Sequence, residues 1–154
     1  MRKMIYKFKY SDRRDYADFF AKAIYTNNEK EIKSWNAQVL VPVPVHYKRK
    51  LKRGYNQAEI LSDRLSDYLK IPIDKHILIR NINTKPQKEL SIKERRQNLE
   101  NAFKITENVV KYKKVILVDD IYTTGSTIDA CAKALLAGGA ENIFFISLCI
   151  GAGI

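Results

Sequence analysis

Two adjacent carboxylates, Asp119 and Asp120, close an apolar run, and five small residues, Thr123, Thr124, Gly125, Ser126 and Thr127, begin three positions later. Neighbouring carboxylates repel each other and need a cation, hydroxyl donors or positive neighbours to stay ionised. Hydroxyl side chains, backbone N–H groups and a permissive glycine at the start of a helix make a cradle for phosphate. Acids for sugar hydroxyls beside such a cradle describe a ribose 5-phosphate site. Taken singly, each feature has an ordinary reading: Asp-Asp as a capping turn, Thr and Ser as helix caps. The ordered combination Val-Ile-Leu-Val-Asp-Asp-Ile-Tyr-Thr-Thr-Gly-Ser-Thr favours function. It is neither a Walker A loop, lacking Gly-Lys-[Ser/Thr], nor a dinucleotide fingerprint, lacking Gly-x-Gly-x-x-Gly.

The elements that must hold these residues are legible around them. Residues 114–119 form a continuous apolar strand, 128–137 an alanine- and leucine-rich helix ended by Gly138-Gly139, and 143–150 a second buried strand. Strand, loop, helix and strand in this order make a βαβ unit. Strands apolar on both faces predict a parallel sheet with helices on both sides, and ligands bind beyond the carboxyl ends of such strands. Upstream, apolar residues at 16, 19, 20, 23 and 24 predict a helix over 10–25 capped by Ser11 or Asp12. Residues 39–45 read as a buried strand running into a proline-constrained loop, 48–54 as a cationic loop, 57–69 as a helix and 71–80 as holding a short strand. Residues 81–98 read as a long loop, with a capping-box spacing at Ser91 and Glu94.

The chain of 154 residues, 45% hydrophobic and 29% charged, has the length and composition of one folded domain, with a helical segment over 1–36 and a core over 37–154. Its net charge of +11 is uneven: residues 1–60 carry +8, 61–114 carry +6 and 115–154 carry −3. That surplus points to an anionic partner. Two cysteines, Cys131 and Cys149, without a CxxC pair argue against a zinc ribbon or disulfide scaffold. No signal-peptide core is visible, and the longest apolar stretch, 143–154, is too short to span a bilayer. A cytoplasmic location is expected.

Residues 115–127 resemble the phosphoribosyl pyrophosphate (PRPP) motif of type I phosphoribosyltransferases. Val41-Pro-Val-Pro44, Arg49, Arg53-Gly-Tyr-Asn-Gln57, Lys85-Pro-Gln, Leu90-Ser, Glu94-Arg-Arg-Gln-Asn98 and Ala102-Phe103 are similar to the ComF competence family. The resemblance covers about residues 1–150. It implies an α/β fold with a parallel-dominated sheet flanked by helices. Asp119 and Asp120 would bind the ribose 3′- and 2′-hydroxyls, and residues Thr123 to Thr127 the 5′-phosphate. Val43, Pro44, Val45 and His46 would form the pyrophosphate loop. Mg²⁺ would bridge pyrophosphate and ribose oxygens, with Asp119 and Asp120 as candidate ligands. Arg95 and Arg96 would lie on a hood closing over the leaving pyrophosphate, which makes them, with the acid pair, the candidate catalytic set. The acceptor supplies the nucleophile, so no Ser/His/Asp set is expected.

Some residues depart from the relatives. Thr123 stands where purine-salvage enzymes usually carry an acid, which argues against hypoxanthine or guanine as acceptor. The glutaminase domain of amidophosphoribosyl relatives is absent, and so is the four-cysteine ribbon that usually begins ComF proteins, as expected of a shortened chain or a ribbon-less variant. Lys48, Arg49, Lys50, Lys52 and Arg53 read equally as a solvated loop or as anion contacts, and Arg53 is the best single choice for ligand contact. Tyr122 lies within the site and is placed to line it. Tyr55-Asn56-Gln57 more simply opens the next helix, Trp35 packs, and His76 shows no partner.

Two functions compete. One is Mg²⁺-dependent phosphoribosyl transfer from PRPP, or a similar ribose 5-phosphate ligand, to an unknown acceptor in natural competence and DNA uptake. The other is a non-catalytic competence factor that keeps the pocket and binds single-stranded DNA or a competence helicase through Lys48, Arg49 and Lys50, with a homodimer as a further expectation. A receiver-like domain fits poorly, because its acid pair normally lies near the N-terminus.

Overall fold

The structure, a computed structural model, describes residues 15–80, 99, 101–107, 110–122 and 124–150, without the side chains at 49, 52, 53, 149 and 150. The predicted caps at Ser11 and Asp12 and the loop over 81–98 lie outside these residues.

The first helix, α1, runs Tyr16–Ser34 and buries Ala17, Phe20, Ala21 and Ile32. It continues nine residues beyond the helix the apolar spacing predicts. The extension is polar, and an i,i+4 ladder supports it: the Tyr25 hydroxyl donates to Glu29 at 2.6 Å, and Lys33 pairs with Glu29 at 2.5 Å. Ile32 anchors its far end. Next comes β1, Val39–Pro42, buried throughout as its β-branched run predicts. The cationic run is a helix rather than a loop: α2, Tyr47–Arg53, ends at Gly54 in the left-handed conformation (φ 78°). Then α3 spans Gln57–Leu69, as expected.

The short strand expected within 71–80 is β2, Leu78–Arg80, and it pairs antiparallel with β3, Phe103–Ile105, in a second, small sheet. That pairing was not anticipated, because the three residues of β3 leave too little periodicity to read. The main sheet has the order β1-β4-β5, with β4 at Lys114–Tyr122 and β5 at Asn142–Ile150, all parallel. Helix α4, Ser126–Ala137, joins β4 to β5. On the other side of β1, Ile73 bridges Leu40 in parallel.

Alternation along the strands assigns the two faces. Val39, Val41, Val115 and Leu117 pack with Ile128, Cys131 and Leu135 of α4 and with Phe103. Leu40, Ile116 and Val118 pack with Phe20 of α1 and Leu61 and Leu65 of α3. From β1 the chain crosses by α3 to Ile73 on one side; from β4 it crosses by α4, on the opposite face, to β5 on the other. The sheet therefore reverses its winding between β1 and β4. A crevice opens at such a point, outside the carboxyl ends of the strands.

Candidate functional site

The crevice begins where β1 stops. The Val43 N–H donates to the Val118 carbonyl at 2.8 Å, the last rung described between the two strands. Asp119 and Asp120 follow at once. They do not end their strand, as the apolar run predicts; β4 continues through Tyr122, its register with β5 held by Ile121 opposite Cys149 and Tyr122 opposite Ile150. Both carboxylates are half-buried. The Asp120 N–H donates to Asp119 Oδ1 at 2.8 Å and so orients that carboxylate.

The small-residue loop is shorter than expected. Ser126 and Thr127 already form the first turn of α4, and Thr123 lies outside the described residues. Gly125 holds the helix N-cap position with φ 77°, and its carbonyl accepts the Asp129 N–H at 2.8 Å. The Thr124 and Ser126 hydroxyls lie 2.9 Å apart, and Thr124 Oγ1 accepts the Ser126 N–H at 3.4 Å. Hydroxyls and amide donors thus gather at the N-terminus of a twelve-residue helix. The Tyr122 ring stacks on Phe145 of β5, centroids 5.2 Å apart, and its hydroxyl lies against Gly125, so it braces the loop.

The loop over 43–46 is pinned at both ends. The Val43 side chain is buried in the core rather than presented to the crevice, and its carbonyl accepts Asn56 Nδ2 at 3.1 Å. His46 caps α2, its Nδ1 accepting the Lys48 N–H at 3.2 Å. Pro44 and Val45 remain half-buried between these fixed points. Lys50 pairs with Glu59 at 3.1 Å, while Lys48 is exposed. The side chains of Arg49 and Arg53, and all of Arg95 and Arg96, lie outside the described residues. His76 is exposed, its N–H donating to Asp74 Oδ1 at 3.0 Å. Trp35 stacks on Phe144, centroids 4.8 Å apart, and packs as expected. Cys131 is fully buried; burial and the nearby Asp119 charge push its thiol far up in pKa, so it stays protonated.

Asn56 does more than open α3. It is buried, its Oδ1 caps the helix by accepting the Ala58 N–H at 3.0 Å, and its Nδ2 ties down the end of β1. Asn56→Ala should cost about 2–3 kcal/mol, from the lost cap and an orphaned carbonyl. That lowers Tm by roughly 5–10 °C in a chain of this size. Asn56→Asp keeps the cap but turns a carboxylate oxygen toward the Val43 carbonyl and Glu59, both acceptors, so it should not restore the loss. A melting curve unchanged in Asn56→Ala would rule this role out.

Comparison with known proteins agrees with this fold. The phosphoribosyl transferase domain model matches residues 18–152. The chain belongs to this family. Its relatives include proteins of the ComF type. The chain is 45% identical over 108 residues to competence protein F of Haemophilus influenzae, covering 69% of this chain and 47% of that protein. It is 32% identical over 149 residues to the DNA utilization protein YhgH of Escherichia coli K12, covering 95% of this chain and 65% of that protein. Competence protein ComFC of Bacillus subtilis is 38% identical over 101 residues, covering 66% of this chain and 39% of that protein. This ComF-type chain thus spans from under half to about two thirds of the length of the curated relatives it matches. Among solved structures, the purine phosphoribosyltransferase of Pyrococcus horikoshii superimposes with a TM-score of 0.54 at 15% identity, over 86% of this chain and 74% of that one. An allosteric regulatory enzyme of purine biosynthesis does so at 0.58 and 17%, over 94% of this chain and 30% of that one. These likenesses establish the fold: a parallel sheet flanked by helices, of the type I phosphoribosyltransferase kind. No described helix is long and apolar enough to cross a membrane.

Proposed function

We propose that this ComF-type domain binds PRPP in the β1/β4 crevice and, with Mg²⁺, transfers its phosphoribosyl group to an acceptor during DNA uptake. The observation that carries this reading is the placement of Asp119 and Asp120 at the switch point of the sheet, directly before a hydroxyl-rich helix N-terminus. The carboxylates accept from the ribose hydroxyls; the first turn of α4 takes the 5′-phosphate. Bond breaking at the anomeric carbon leaves positive charge on the ribose, which the acid pair favours, and negative charge on the departing pyrophosphate. Arg53, Arg95 and Arg96 are the cations offered to that pyrophosphate.

The donor set suits Mg²⁺. Asp119 and Asp120 supply hard oxygen ligands, and among the described residues no group of three or more His, Cys, Asp or Glu side chains gathers to hold an ion alone. The pair would hold Mg²⁺ together with ligand oxygens and water, its usual mode. When bound, the ion neutralises the leaving pyrophosphate. Titration calorimetry of the folded chain with PRPP and Mg²⁺ tests the reading; absence of any binding sinks it.

A second reading, contact with single-stranded DNA, draws on α2. That helix exposes Tyr47, Lys48 and Leu51 together, an aromatic and a cation on one short element, and the relatives' names include DNA utilization. Lys48→Ala should lower DNA affinity and reduce the salt slope by about 0.7, as for one lost phosphate contact. Lys50→Ala should do less, because Glu59 already partners Lys50. Binding that ignores salt would remove this reading.

A further inference from the structure

In a parallel pair, every second residue of a strand turns both backbone groups to the same neighbour. Its N–H donates to the residue before its register partner, and its carbonyl accepts from the residue after it. Pro42 stands opposite Val118, so Val43 falls opposite Asp119. The Val43 N–H accordingly donates to the Val118 carbonyl at 2.8 Å. The next rung would carry the Asp120 N–H to the Val43 carbonyl. Between these two residues that rung is absent. The Asp120 N–H goes instead to Asp119 Oδ1 at 2.8 Å, and the Val43 carbonyl takes Asn56 Nδ2 at 3.1 Å. Each half of the missing rung is bonded to a side chain.

The prolines do not explain the break. Leu40 turns its backbone to the opposite edge of β1, donating to the Pro72 carbonyl at 2.8 Å and accepting the Asp74 N–H at 3.0 Å. Pro42 and Pro44 share that parity, so the N–H each lacks belongs to the far edge and not to the ladder with β4. What diverts the Val43 carbonyl is Asn56. This residue is buried, and both ends of its carboxamide are engaged. Its Oδ1 accepts the Ala58 N–H at 3.0 Å, and Nδ2 also lies 3.5 Å from Glu59 Oε1. Glu59 in turn pairs with Lys50 of α2 at 3.1 Å. A carboxamide fixed at this many points holds the carbonyl in one direction.

We propose that Asn56 is a positioning residue that holds the crevice open. By taking the Val43 carbonyl out of the ladder, it keeps β1 from zipping onto β4 at Asp120 and leaves the Asp120 N–H to orient the Asp119 carboxylate. This rests on the reading of the crevice as a ribose 5-phosphate site. The test compares the wild type with Asn56→Ser and Ile32→Val. Serine still caps α3, but its hydroxyl stops one bond short of Nδ2 and gives up Val43. Ile32→Val lowers stability at the far end of α1, away from the crevice. Calorimetry with ribose 5-phosphate should show about a tenfold loss of affinity in Asn56→Ser, the order expected when one hydrogen-bonded contact is misplaced, and none in Ile32→Val. A crystal structure of ligand-free Asn56→Ser should show the Val43 carbonyl within about 3.2 Å of the Asp120 nitrogen. Wild-type affinity in Asn56→Ser overturns the proposal, and so does a Val43 carbonyl that does not take up the rung. An equal loss in Ile32→Val would make the effect one of stability and overturns it as well. If the wild type itself binds no ribose 5-phosphate, the site reading fails, while the crystal structure still decides whether Asn56 keeps the rung from forming.

Discussion

Replacing Asp119 and Asp120 together by asparagine should leave the protein folded and reduce its affinity for PRPP by roughly a hundredfold to ten-thousandfold. Each carboxylate offers an ionised acceptor to a hydroxyl donor, an interaction worth about 1.5–3 kcal/mol, and two such losses give that range. The fold should tolerate the change for local reasons. Both side chains are half-buried and stand just beyond the last described β1–β4 rung, at the mouth of the crevice. Asparagine keeps the shape and an Oδ1 to accept the amide at position 120, and it removes the repulsion between neighbouring charges. Thermal melting should therefore shift little while calorimetry loses the ligand. Ribose 5-phosphate should lose affinity as PRPP does, because both carry the same sugar, and inorganic pyrophosphate should lose less. A double variant that binds PRPP as the wild type does would remove the acid pair from the site.

The parts of this molecule that were legible in sequence are those where one physical demand acts alone. Residues 114–119 had to be a strand buried on both faces, and 128–137 a helix with an apolar stripe. From these the parallel βαβ unit, and with it the neighbourhood of Asp119, followed. Where two demands compete, the reading failed. The run from Lys48 to Arg53 has the charge of a solvated loop, yet it coils into α2 because His46 caps its start and Gly54 closes its end. The stacking of Tyr122 was not legible either, because its partner Phe145 lies more than twenty residues away on β5. The second sheet was hidden because β3, the partner of the strand expected within 71–80, is too short to show a period, and the pairing spans more than twenty residues.

Gly125 should be the least replaceable residue of the loop, and Gly54 provides the measure. The two have nearly the same backbone, φ 77° and φ 78°, so adding a Cβ brings the same conformational strain, about 1 kcal/mol, at either place. Their surroundings differ. At Gly54 a Cβ meets nothing within 4 Å, whereas at Gly125 it falls 2.6 Å from the Tyr122 hydroxyl and 3.1 Å from Cζ of that ring. The ring cannot simply step back, since it is stacked on Phe145. The loop must then move, and with it the amides and hydroxyls offered to phosphate. Gly54→Ala should lower Tm by a few degrees and leave ribose 5-phosphate binding intact. Gly125→Ala should lower Tm further and weaken ribose 5-phosphate binding by at least about tenfold, the order of effect expected when a phosphate-binding donor is misplaced. Adding Tyr122→Phe to Gly125→Ala removes the closest contact and leaves the ring carbon, so part of the binding should return. Equal behaviour of the two glycine variants would mean that the Tyr122 contact does not shape the loop. Failure of Tyr122→Phe to restore any binding would locate the cost of Gly125→Ala in the backbone alone.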